Sequence, residues 1–186
     1  MKKKNLFIIS TILCISFSSG CSSTPAASEI PKTSETLSDA DVTIPSVLIG
    51  EELSQAETGI AATDNGDGTV TYSLSGKQRA DILDTIAADL EESIQSILED
   101  DDCYPDITAI TTDDDYTRFT ISLKDGQMNI YESMLVMSFY TVGNKYQIYN
   151  GVSSEQAVTT VVYVNSSDNA IISETDSTSM ETFSSQ

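Results

Sequence analysis

Two kinds of residue in this chain have the types and spacing to do chemistry: clustered acids and isolated cysteines. Glu99-Asp100-Asp101-Asp102 form one acid run and Asp113-Asp114-Asp115 another. Packed carboxylates suit a hard cation such as Ca2+, which takes about six to eight oxygen ligands. The spacing matches no calcium loop, however. In "TDNGDGT", setting Asp67-Gly68 at the loop's fifth and sixth positions puts Thr63 first and Leu74 twelfth, where acids are required. The acid runs are expected to be solvated turns, and no metal ligands are assigned. Cys103 stands alone among Glu99 to Asp102 and Asp106. A reactive thiol needs a positive neighbourhood to lower its pKa, so Cys103 is expected to be inert. The chain has no His, and so lacks the usual general base near neutral pH and the commonest metal ligand. No phosphate-binding glycine loop, nucleophile elbow, CxxC or HExxH pattern occurs. No catalytic residue and no cofactor is assigned, and the chain is not expected to be an enzyme.

Cys21 is different. Lys2, Lys3 and Lys4 precede an apolar run from Leu6 to Phe17 of 12 residues, short of the roughly 20 that span a bilayer as a helix. Basic residues, a short apolar stretch and then small residues read as a secretory signal, residues 1–20. Its end, Ser18-Ser19-Gly20-Cys21, resembles the lipobox of bacterial lipoproteins, with Ser18 where a Leu-like residue is usual. That resemblance implies acylation of Cys21. The lipid bilayer is then a partner, and the chain is held at the cell membrane on its extracytoplasmic side. Acyl chains anchor at about 0.8 kcal/mol per buried methylene.

Behind the anchor must come the elements that build a domain. Residues 21–58 are rich in Ser, Thr, Glu, Ala and Pro, and no aromatic occurs from Cys21 to Thr71. Such a segment buries too little to offset ordering entropy, and a flexible tether is expected. "IPSVLIGEEL", Ile44–Leu53, is its most apolar part. From Val70 the pattern changes. "TVTYSL" alternates Val70, Tyr72 and Leu74 with hydroxyl residues, a half-buried strand, and "DNGDG" before it can close a hairpin with "GIAAT". Ser75 and Gln78 fit a capping box. Leu83, Ile86, Ala87, Leu90, Ile94, Ile97 and Leu98 follow at helical spacing. "ITAITT" and "RFTISL" read as a hairpin. A second helix is expected from about Gln127 to a stop at Asn150-Gly151, followed by "AVTTVVYV" and the short strand "AIISE". The order predicts an α+β domain over 59–175: an antiparallel sheet with two helices on one face, βαββαβ, ferredoxin-like or similar. Residues 176–186 are expected to be a disordered tail.

Two helix faces bear on binding. Asp81, Asp84, Glu91, Glu92, Gln95 and Glu99 lie on the solvent side of the first helix, which is also a face complementary to a basic partner. The second helix has no charged residue from Ser133 through Asn144. Its core face is assigned to Met128, Tyr131, Met134, Leu135, Phe139, Val142, Tyr146 and Tyr149. Ile130, Met137 and Tyr140 fall opposite, with Val136 beside Tyr140. A helix apolar nearly all round is covered on both sides or contacts something else. Ile130, Met137 and Tyr140 are therefore the candidate partner-binding residues. The competing reading is that the tether, the trailing strand or the tail covers them.

The totals narrow the partner. Acids number 29 against 9 bases for a net charge of −20, which becomes −23 once the three lysines of the signal are removed. Phosphate backbones are repelled, so no nucleic acid is expected. The lipobox, the Ser/Thr/Glu-rich spacer and the stretches "DGTVTYSL", "YPDITAITT", "YESMLVMSFY" and "YQIYNG" together resemble small uncharacterised lipoproteins of Gram-positive, Clostridia-type bacteria. That resemblance carries no catalytic or ligand residues with it. The expectation is an anchored, non-catalytic module that binds an envelope protein or peptide. The alternative is a lipoprotein that binds a small ligand or divalent cation at the cell surface.

Overall fold

The computed structural model describes residues 37–49, 60–124 and 126–180. The expected signal peptide, Cys21, residues 22–36 and 50–58 of the expected tether, and 181–186 of the expected tail lie outside them. Within the described residues the fold is α+β, with two long helices and two open sheets. No described helix is long and apolar enough to cross a membrane.

The first sheet comprises β1 (Ala40–Pro45), β2 (Ala61–Asp64) and β3 (Thr69–Leu74), all antiparallel, with β3 central. Its two faces follow the side-chain period of two. Val42, Ile44, Tyr72 and Leu74 point into the core. The other face pairs hydroxyls and carboxylates across strands: Thr43 with Thr71 at 2.8 Å, and the Ser73 hydroxyl donating to Asp41 at 2.6 Å. The hairpin between β2 and β3 turns on Gly66 and Gly68, at φ 75° and 89°, values open to glycine at little steric cost.

β1 corrects the expected tether and the domain boundary at 59. "ADVTIP" alternates inward and outward residues, and Ile44 is fully buried against the core. Short and free of aromatics, the strand carries a weak local signal; its pairing along the whole of β3 supplies the order.

Helix α1 (Gly76–Glu99) begins at Ser75 with the expected capping box to Gln78. It buries Leu83, Ile86 and Leu90, and it also buries Arg79. The second sheet contains β4 (Ile107–Thr112), β5 (Arg118–Leu123), β6 (Thr160–Asn165) and β7 (Ile171–Asp176), in that spatial order. Helix α2 (Ile130–Tyr149) is the crossover between β5 and β6, which therefore run parallel; the outer pairs are antiparallel. The expected single antiparallel sheet is thus replaced by two sheets, one of them mixed. β1 fills one edge of β3 and β2 the other, so β3 has no edge left to join the second sheet.

Both helices and residues of both sheets share one hydrophobic cluster. β6 is buried on its two faces: Val161 and Tyr163 enter that cluster, while Val162 lies on the outer face. There the Arg118–Glu174 ion pair, 2.9 Å long, joins β5 to β7 across β6. The tail expected to be disordered from 176 continues instead as the end of β7 and a 3-10 turn, Ser177–Met180. Ser177 N–H donates to the Thr159 carbonyl at 2.9 Å, and Thr159 N–H donates to the Ser177 hydroxyl at 3.1 Å.

Candidate functional site: the groove between the helices

Helix α2 starts at Ile130, three residues later than expected, because Asn129 caps it. The Asn129 side chain accepts from Glu132 N–H at 3.0 Å, and the Glu132 carboxylate accepts from Asn129 N–H at 2.8 Å. Glu132 also accepts from Asp106 N–H at 3.1 Å, and its carbonyl accepts from the Tyr163 hydroxyl at 2.6 Å. Fully buried, this carboxylate has its oxygens occupied by backbone donors and anchors the loop after α1 to the start of α2.

The rotation of α2 about its axis decides the site. Its inward side carries Leu135, Phe139, Tyr140, Gly143, Tyr146, Gln147 and Tyr149. Gly143 marks the closest approach: a Cβ there would lie 2.6 Å from the Tyr116 carbonyl and clash with Thr159. Around it, Gln147 donates to the Val158 carbonyl at 3.1 Å and the Thr159 hydroxyl at 3.0 Å, and Asn144 accepts from the Thr159 and Ser177 hydroxyls.

Of the three candidate partner-binding residues, two are exposed and one is not. Ile130 is 68% exposed and Met137 46%. Tyr140 is only 4% exposed, and its hydroxyl bonds that of Thr175 at 2.6 Å. The trailing strand covers it, which corrects its assignment to the contact surface. Burial pushes its phenol pKa up, partly opposed by the Thr175 bond. In the opposite direction, Tyr131 and Met134, assigned to the core, are 56% and 63% exposed. At about 100° per residue, Ile130, Met134, Met137 and Thr141 form one outward stripe.

Beside that stripe a groove runs between α1 and α2. It comprises two hollows of about 690 and 700 Å3 that share Asp89, Ser138 and Val142. One joins the first half of α1 to the second half of α2, and Ile60 also lines it. The other continues to the C-cap of α1 at Asp100 and to Tyr104. From Asp81 to Asp100 the groove follows α1 for about 28 Å at 1.5 Å per residue. Apolar side chains line it, among them Ile82, Ile86, Leu90, Phe139 and Val142. The α1 rim is acidic, with Asp81, Asp89, Glu92 and Asp100, whereas the α2 rim offers Met137, Ser138 and Thr141. Lys145 stands at the end away from Asp100, and burial lowers its pKa.

Among the described residues, no group of three or more His, Cys, Asp or Glu side chains is placed to hold a metal ion. Asp113 is occupied locally, accepting from Thr117 N–H at 2.7 Å and Arg118 N–H at 3.1 Å. The Cys103 thiol pKa is pushed up, first by its hydrogen bond with Asp100, then by burial and the charges of Asp100 and Asp102. That is the reverse of what an attacking thiolate requires.

Reasoning from sequence missed Met134 and Tyr131 as surface residues. A helix apolar nearly all round offers no clear polar side from which to set its rotation. Gly143 was the available signal, since a glycine inside a helical pattern marks a close approach. Placing it at the centre of the core face puts Ile130, Met134 and Met137 outward. No family model, curated protein or solved structure matches the chain.

Proposed function

We propose that this chain is a lipoprotein, anchored to the cell membrane through acylated Cys21 and facing the extracytoplasmic side. Its domain is a non-catalytic module that binds a protein or peptide segment. Residues 1–20 act as the signal peptide. The anchoring half of the reading is supported by the sequence alone, and the intact mass of the mature chain tests it: unmodified Cys21 would refute it.

One observation carries the binding half. Ile130, Tyr131, Met134 and Met137 are exposed on a single helix beside an apolar groove. Met and aromatic side chains are what adaptable binding surfaces use, and exposed apolar clusters mark contact sites. The test is the double substitution Met134→Ser/Met137→Ser in the membrane-anchored chain. Loss of a cross-linked partner with an unchanged melting temperature supports the docking face; a partner that persists at full yield contradicts it.

A second reading rests on groove size. Hollows near 700 Å3 fall within the roughly 300–1,000 Å3 of small-molecule sites. A surface lipoprotein that binds a small apolar ligand would show a thermal shift with that ligand and no protein adduct. Its divalent-cation form finds no cluster of three ligating side chains among the described residues.

A further inference from the structure

On the reading that the exposed stripe of α2 and the groove beside it form the docking face, the partner can be narrowed by charge. We propose that the groove takes a cationic amphipathic segment of another protein, laid with its apolar side on the groove floor and its Lys or Arg side chains against α1. The floor supplies apolar area through Ile86, Phe139 and Val142. The rims differ in kind. Asp89, Glu92 and Asp100 line the α1 side, while the α2 side is uncharged through Met137, Ser138 and Thr141. A bound segment therefore carries its positive charges along one flank only.

Charge disfavours the other occupants. Residues 50–59 lead into Ile60, which lines the groove, but they bring Glu51, Glu52 and Glu57 and no Lys or Arg. A second copy, with its signal removed, brings a net charge of −23. Each sets like charge against the α1 rim, whereas a basic flank meets it with opposite charge, which selects partners and speeds encounter. A groove of about 28 Å accommodates about 18 helical residues.

The test uses the full chain in detergent micelles. The probe is a synthetic peptide of about 18 residues with Leu at i, i+3, i+4 and i+7 spacing, Lys along one flank of that stripe and Ser or Gln elsewhere. A second peptide replaces every Lys by Glu. The Lys peptide binds and the Glu peptide does not, and added salt weakens the complex. Asp89→Lys/Glu92→Lys weakens binding by about tenfold, and Met137→Ser by about threefold, whereas Asp114→Lys/Asp115→Lys, the same charge change in the β4–β5 turn, leaves it within about twofold. Melting curves establish that each variant is folded. Equal weakening by the two charge-reversing pairs overturns the proposal, since it reveals only general attraction to an acidic protein. So does equal binding of the Glu peptide. Failure of the charge inference is separable from failure of the docking reading. If Met134→Ser/Met137→Ser removes the membrane partner while Asp89→Lys/Glu92→Lys leaves it bound, docking at the groove stands and the cationic partner falls. If neither pair alters any association, both fall.

Discussion

The Tyr140 hydroxyl lies 2.6 Å from the Thr175 hydroxyl, and this contact divides the apolar surface of α2 in two. On one side of the division β7 closes over the helix; on the other, Ile130, Met134 and Met137 stay in solvent. Substitutions on the two sides are expected to behave oppositely. Tyr140→Ser removes a buried ring and costs about 3 kcal/mol of stability. Met137→Ser stays within about 0.5 kcal/mol of the parent, as exposed positions do. Denaturant melts of both variants check this, and equal losses would place Met137 in the core.

Gly143→Ala tests the rotation of α2. Alanine favours a helix by about 1 kcal/mol over glycine, but here its Cβ meets the Tyr116 carbonyl and Thr159. A net loss of about 1–3 kcal/mol is expected. A stabilised variant would show the helix turned differently.

Arg79 ties α1 to two other parts of the chain. From the first turn of α1 it donates to the Tyr149 carbonyl at 3.0 Å and the Ser38 carbonyl at 3.1 Å, so it caps the end of α2 and holds the entry to β1. Hydrogen bonds from a charged donor are worth about 1.5–3 kcal/mol. Arg79→Met is expected to cost about 2–4 kcal/mol in a chemical melt, and Arg79→Lys to recover only part of it, because an ammonium lacks the planar fork. Full stability in Arg79→Met would refute this role.

Two buried phenols, Tyr116 and Tyr149, have hydroxyls with no hydrogen-bond partner among the described residues. Burial raises both pKa values, that of Tyr116 to about 12. An orphaned buried hydroxyl costs about 1–3 kcal/mol, so Tyr149→Phe should match or exceed the parent. The sign with pH follows from linkage. The unfolded phenol loses its proton near pH 10 while the folded one keeps it, so stability is full below pH 10 and falls as pH rises towards 12. Stability that is flat between pH 9 and 11.5 would contradict the raised values. Tyr116→Phe should reduce the slope.

From β3 onward the order of elements was legible in the sequence, because those elements carry local signals. The Ser75/Gln78 box starts α1, Asn150-Gly151 stops α2 with Gly151 at φ 107°, and β3 and β5 alternate as read. What escaped was non-local. β1 is ordered by pairing with β3 from a distance of some thirty residues, as in Ala40 with Leu74, and nothing within "ADVTIP" announces that. The same strand captures β3 and so breaks the single sheet. In the candidate site the solvent face of α1 was readable from its acids, whereas the face of α2 depended on what β7 and Thr159 cover.

The boundary itself gives a prediction. A chain beginning at residue 59 lacks β1 and uncovers one edge of β3, while one beginning at residue 37 retains it. The shorter chain is expected to be unfolded or poorly cooperative in a thermal melt. A cooperative transition at the parent temperature would return β1 to the tether.

The central claim is that the exposed stripe of α2 beside the groove is a docking face. The most direct measurement places a photo-activated cross-linking residue at Met134 in the membrane-anchored chain within intact cells, with Asp115 as the control position. The account predicts one dominant protein adduct at 134 that is absent at 115. No adduct at 134, or the same adducts at both positions, would contradict it.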